Sequence, residues 1–356
     1  MSIYKIKNIY KKTKSTLKNI SKKTKSTIKN ISKKNNTKKI KPIVFPYTRP
    51  IQKSFIPVSD IHNVAYYLYG NINGKPVLIL HGGPGAGTFH YEARFFDPTK
   101  FLIVMIDQRG TGKSTPSGEI TDNTTLHLIS DCEKIRKLLN IDKWIIYGGS
   151  WGSTLALAYS IKHPSHVSNM ILSAIYLSSS KELDWVQKGK GANLIYPDKW
   201  TYYRDFIPSN ERNDFIKAYG KRIFHNHDTK LQKKAALQWL AWEESLAPFK
   251  NITHQQIIKS LKKIDYLSYA KIHFHYVSNN CFFPTNDFLI QPKNIKKIKH
   301  IPTLILHGRY DILCPYDNAF QLHSRLPNSI LKTTISSHNY SQQQIKIITN
   351  YIKNTF

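Results

Sequence analysis

Gly148-Gly149-Ser150-Trp151-Gly152 matches G-x-S-x-G, a pattern that lifts a serine hydroxyl out of a sharp strand-to-helix turn. Glycines two residues either side of the serine keep that crowded backbone free of Cβ clashes. A serine hydroxyl is a poor nucleophile at neutral pH, so it needs a base, and the base needs an orienting acid. Where this turn is used, the partners follow in chain order Ser, Asp or Glu, His. Asp311 follows the apolar run Leu304-Ile305-Leu306, and His338 follows Ile330 to Ile335. His323, the nearest earlier histidine, falls inside an expected helix, which leaves His338 as the base. An acyl-transfer site also needs N–H donors for the developing oxyanion. The residue after the serine, Trp151, is one. The loop His81-Gly82-Gly83-Pro84-Gly85, directly after Val77 to Leu80, offers Gly83 as the other.

These residues require a sheet that presents loops at one end. Val64–Tyr69, Pro76–Leu80, Phe101–Ile106, Trp144–Tyr147, Met170–Ile175 and Pro302–Leu306 read as strands. Helical periodicity appears over Leu126–Leu139 and Thr154–Ile161. Continuous apolar strands alternating with helices predict a mostly parallel sheet covered on both faces. Residues 178–295 break the alternation. They are rich in aromatic and charged residues and mostly helical in pattern, as over Leu231–Leu246. They are expected to form an inserted helical cap over the carboxyl ends of the strands, where ligands bind. The expected organisation is a basic arm at 1–41, a core made of 42–177 and 296–356, and the cap at 178–295.

Of the 356 residues, 40% are hydrophobic, which excludes a wholly disordered chain. The net charge is +31, from 53 Lys and Arg against 22 Asp and Glu. The arm holds 15 Lys and no acid, so the remainder is only moderately basic and does not by itself require nucleic acid. The arm repeats with an 11-residue period (Asn8 to Lys18, then Asn19 to Lys29), which would stack Ile6, Leu17 and Ile28 on one helix face. The favoured reading is a solvated tail. An anionic membrane surface or nucleic-acid phosphates are the alternative contacts. No run of about 18 apolar residues would span a membrane. The three cysteines, Cys132, Cys281 and Cys314, lack metal or disulfide spacing, and a reduced, cytoplasmic setting is expected. Gly110 to Ser114 imitates the end of a phosphate-binding loop, but Asp107 stands where that loop needs glycine. The stretch reads as a turn, with Asp107 and Arg109 available for a buried ion pair. His225-x-His227 and His273-x-His275 lack a completing acid or cysteine, and no metal or other cofactor is expected.

His81 to Gly85, Asp107-Gln-Arg-Gly-Thr-Gly-Lys-Ser114, Gly148 to Tyr159 and Gly308-Arg-Tyr-Asp311 closely resemble the proline iminopeptidases, across roughly residues 50–356. The resemblance implies an α/β-hydrolase fold, with Ser150, Asp311 and His338 as triad and Gly83 and Trp151 as oxyanion donors. It implies release of N-terminal proline from peptides, with cap carboxylates holding the cationic imino group. Trp239-x-x-Trp242-Glu243 is similar to the segment bearing one of them, which makes Glu243 the candidate and Glu244 its neighbour. The family's second carboxylate falls where this chain has His273. Ser173 and Ser337 stand where the family has Arg and Gly. An imidazole anchors an amine less well than a carboxylate, so an esterase or amidase acting on small esters or amides is the alternative. A non-enzymatic tether built around the arm is a third reading, disfavoured by the intact Ser, Asp, His and Gly set.

Overall fold

The computed structural model describes residues 44–224 and 228–356. The basic arm and the His225-x-His227 pair lie outside the described residues. Eight strands form one sheet: β1 (Gln52–Pro57), β2 (Asn63–Gly70), β3 (Lys75–Leu80), β4 (Phe101–Ile106), β5 (Trp144–Gly149), β6 (Val167–Ser173), β7 (Thr303–Gly308) and β8 (Ser329–Thr334). Their order is β1-β2-β4-β3-β5-β6-β7-β8. The β1–β2 and β2–β4 pairs are antiparallel, and every later pair is parallel. β1 carries no expectation from the sequence. It is an exposed edge strand of alternating burial near several prolines, which hides its period.

The parallel strands look uniformly apolar because both faces are covered, yet the two-residue period persists inside them. Leu78, Leu80, Val104, Ile146, Leu172 and Ile305 point to one apolar layer. Val77, Ile79, Ile103, Ile145, Ile171 and Leu304 point to the other. The first layer is closed by α1 (Thr125–Leu138) and α2 (Trp151–Lys162), which supply Leu128, Ile135, Leu155 and Leu157. The second is closed by the turn His90–Phe95 and by the C-terminal helix, through Phe95, Ile348 and Ile352.

Between β6 and β7 the chain is helical: α3 (Ser180–Val186), α4 (Ala192–Ile195), α5 (Pro197–Asp205), α6 (Phe215–Ile223), α7 (Thr229–Leu246), α8 (His254–Leu261), α9 (Tyr266–Ser278) and α10 (Pro292–Ile298). α11 (Tyr316–Arg325) and α12 (Gln342–Thr355) follow β7 and β8. A separate apolar cluster of Trp200, Tyr203, Tyr219, Trp239, Trp242 and Phe274 holds the inserted helices together. α9 joins this cluster to the sheet. Its Ala270, Phe274 and Val277 enter the helical cluster, while Ile272 and Tyr276 pack into the sheet layer. These are two stripes of one helix at spacings of three and four.

The loops after β3, β5, β7 and β8 all leave the same end of the sheet. β3 lies between β4 and β5, so the connections leaving β3 and β4 diverge in opposite directions and open a crevice above that point.

Candidate active site

Ser150 caps the N-terminus of α2 with φ 56° and ψ −128°, a conformation L-residues rarely adopt. Its own N–H donates to Ser173 O at 3.0 Å, which ties the turn to β6. The flanking glycines are needed on steric grounds. A Cβ on Gly148 would lie 2.3 Å from Gly152 O, and one on Gly152 would lie 2.1 Å from Leu80 O. The serine turn is thus seated directly on the end of β3.

The loop after β3 is keyed to the same turn. Gln108 N donates to His81 Nε2 at 3.1 Å, so the His81 proton sits on Nδ1 and goes to Gly82 O at 2.8 Å. Burial lowers the His81 pKa and keeps the ring neutral. The Gln108 amide reaches His81 O at 3.0 Å and accepts from Trp151 Nε1 at 2.8 Å. Gly83 has φ +115°, and a Cβ there would meet Gly85 N at 2.6 Å. Trp151, as the first residue of α2, has an N–H without an intrahelical acceptor.

Asp311 follows β7 and His338 follows β8. His338 Nδ1 donates to Asp311 Oδ2 at 2.9 Å, while Cys314 N donates to Asp311 Oδ1 at 2.8 Å. The Asp311 side chain is fully buried. His307 also approaches Oδ2, at 3.6 Å, but its ring accepts from Ile175 N and donates to Cys314 O. Burial lowers the His307 pKa, so it is a neutral structural ring. For His338 burial also acts downward. The Asp311 charge and hydrogen bond, with Glu244 and Glu243, outweigh it and raise the pKa.

Ser150 and His338 line one cavity of about 430 Å³ with Glu243, Glu244, Tyr269 and Leu313. A smaller recess of about 40 Å³ shares Ser150, Gly83, Glu243 and Leu313, and adds Val186 and His273. Trp239 Nε1 donates to His273 Nδ1 at 2.9 Å. Indole can only donate, so the His273 proton is on Nε2, which reaches Glu243 Oε2 at 2.9 Å. Gln187 donates to the other Glu243 oxygen. His273 therefore supports Glu243 rather than standing beside it as a second anchor. Burial, then the charge of Glu243, raise the Glu244 pKa.

One expectation is corrected. Arg109 does not pair with Asp107; it forks onto Asp131 of α1 at 2.6 and 2.7 Å. Asp107 instead accepts from Tyr67 OH, Thr88 N and Lys113 N, each at 2.8 Å. A Cβ on Gly112 would fall 2.2 Å from Asp107 Cγ. Of the glycines that imitate a phosphate loop, Gly112 thus makes room for that carboxylate, while Gly110 makes room for Ile272 and the Glu119 backbone. His275, paired with His273 in the sequence, turns away and bonds Asn123 O. Among the described residues, Glu133, His163 and His166 bring ligand atoms within 4.8 Å of one another. Burial acts upward on Glu133, but hydrogen bonds from Arg136 and Tyr159 pull it down to about 2 and occupy its oxygens.

Glu92, Tyr340, Gln187 and Cys314 were not anticipated from the sequence. Tyr340 lies two residues past His338, a neighbourhood that could have flagged it. Glu92 carries no local signal. The Cys314 thiol contacts the Ser150 hydroxyl, and burial pushes its pKa well up, so it stays protonated.

The sheet order, the strained serine turn and the converging loops define an α/β hydrolase, and the model of the α/β-hydrolase fold matches residues 75–340. Solved structures agree on the fold. MGS-M2, an α/β hydrolase from a Medee basin deep-sea metagenome library, superposes with TM-score 0.55 at 18% identity, over 85% of this chain and 96% of its own. An esterase from Exiguobacterium antarcticum gives 0.53 at 21% identity, over 85% and 99%. Closer likeness is found among curated proteins. A probable proline iminopeptidase of Leptolyngbya boryana is 44% identical over 81% of this chain and 88% of its own. The proline iminopeptidase of Arabidopsis thaliana is 44% identical over 80% and 73%, and that of Neisseria gonorrhoeae 38% over 82% and 91%. The chain belongs to the proline iminopeptidase family.

Proposed function

We propose that the protein is a serine aminopeptidase that releases N-terminal proline from peptides, with Ser150, His338 and Asp311 as its triad. Ser150 Oγ attacks the scissile carbonyl. His338 takes the hydroxyl proton and then delivers it to the leaving amine, while Asp311 holds the ring in the required tautomer and stabilises the imidazolium. The N–H groups of Gly83 and Trp151 receive the oxyanion. Water then attacks the acyl-enzyme with His338 again as base. Glu243 and Glu244 hold the substrate's cationic imino group, since an ammonium entering a partly dry pocket needs a negative partner. The smaller recess, walled by Val186, Val277 and Leu313, offers apolar side chains to the pyrrolidine ring. The arm at 1–41 has no part in turnover.

The observation that carries this reading is His338 Nδ1 held 2.9 Å from Asp311 Oδ2 in the cavity that also contains the strained Ser150. One observation favours the esterase or amidase alternative: His273 adds no second negative charge beside Glu243. Turnover of prolyl-2-naphthylamide against its N-acetylated form and p-nitrophenyl esters separates the two. The aminopeptidase prefers the free, cationic secondary amine by about a hundredfold, the cost of leaving a buried carboxylate unpaired. Equal rates on the blocked substrate would defeat it. Ser150→Ala is expected to lower kcat by roughly four orders of magnitude or more.

A further inference from the structure

The larger cavity contains a carboxyl group that the reaction above does not use. Glu92, on the turn His90–Phe95, lines the cavity and is only 7% exposed. Its Oε1 accepts from Tyr340 OH at 2.9 Å. Its Oε2 is buried and has no hydrogen-bond partner among the described residues. No Lys, Arg or His comes within ion-pair distance of Glu92 among those residues. Burial raises its pKa to about 7, and the Tyr340 hydrogen bond offsets only part of that. A buried carboxyl group without a partner gives up its charge unless a cation joins it, and a cation that arrives with the ligand would draw Glu92 back to the carboxylate.

Its position says which part of the ligand. Ser150, Gly83, Glu243 and Leu313 are common to both cavities, whereas Glu92, Tyr340 and Asn339 belong only to the larger one, as does Glu244, which reaches it from the opposite, helical side. Glu92 is tied through Tyr340 to the loop that carries His338, the group that hands a proton to the leaving amine. Glu243 and Glu244 sit on α7, on the inserted helices. With the proline ring in the small recess, the leaving peptide occupies the larger cavity beside Glu92. None of the described residues lining that cavity is Lys or Arg, although the chain has 53 of them.

We infer that Glu92 forms a leaving-peptide subsite that takes the cationic side chain, Lys or Arg, of the residue after the N-terminal one. This rests on the aminopeptidase reading, and the test separates the two. The probes are prolyl-lysine amide and prolyl-norleucine amide, which differ in the terminal ammonium. The wild type is expected to show kcat/KM about tenfold higher for the lysine substrate, the scale of one charged hydrogen bond. Glu92→Gln keeps the size and the Tyr340 contact and is expected to bring the ratio close to one. Glu92→Lys is expected to reverse it in favour of prolyl-glutamate amide. Equal wild-type rates on the two probes overturn the subsite alone, and need no variant. A lysine preference that survives Glu92→Gln also overturns it, because Glu243 and Glu244 would then be its source. A wild type inert toward prolyl-2-naphthylamide and both amides overturns the aminopeptidase reading and the subsite with it.

Discussion

In the proposed reaction His338 must be neutral to take the proton of Ser150, and its neighbours oppose that. Burial favours the neutral ring, but Asp311, Glu244 and Glu243 together favour the cation and prevail. The folded-state pKa is raised, so the active form is reached only above the ordinary histidine value of about 6.5. The acid limb of kcat/KM against pH is therefore expected to have its midpoint above 6.5. Glu244→Gln removes one of the charges and is expected to move that midpoint down, whatever it does to KM. A midpoint below pH 6 in the wild type would show that the pair titrates differently. At this scale Ser150, Asp311 and His338 could be picked out as candidates because each follows its own strand in the chain order Ser, Asp, His. The Glu92–Tyr340 contact could not: its partners are 248 positions apart and neither belongs to a motif.

The turn from β5 into α2 works as one element because backbone meets backbone without side chains between. Gly152→Ala places a Cβ 2.1 Å from Leu80 O, against the strand that leads to the Gly83 loop. The variant is expected to lose about 3 kcal/mol of stability and most of its turnover, read as the urea midpoint and as kcat on prolyl-2-naphthylamide. A fully stable, active variant would mean that the turn can shift without moving Ser150. Elements were legible to different degrees. β5 and α2 were visible from composition and spacing. The double role of α9 was not, since two apolar stripes on one helix blur the amphipathic pattern that would mark either.

For the whole molecule, the strongest feature of the sequence is the lysine-rich arm, and the proposed reaction calls on none of its residues. Among the described residues, 44–224 and 228–356, the sheet layers, the inserted helices and the cavity are already complete enough to place Ser150, Asp311 and His338. Deleting residues 1–41 is expected to leave kcat on prolyl-2-naphthylamide within about twofold and the thermal midpoint within a few degrees. A large loss of kcat would make the arm part of the working enzyme. Charge balance at this scale is a poor guide to the site: a chain of net charge +31 encloses a cavity lined by Glu92, Glu243 and Glu244.

The sequence by itself determined the parallel sheet, the serine turn and the order of the groups that follow it, because these depend on period, on glycine sterics and on neighbours along the chain. Only the tertiary structure decided that Asp131 rather than Asp107 takes Arg109, that His273 serves Glu243, and that Glu92 reaches the cavity. Those pairings join side chains from different elements. Each is chosen by the need of a buried charge or donor for whichever partner packing brings within about 3 Å, and no spacing along the chain encodes that.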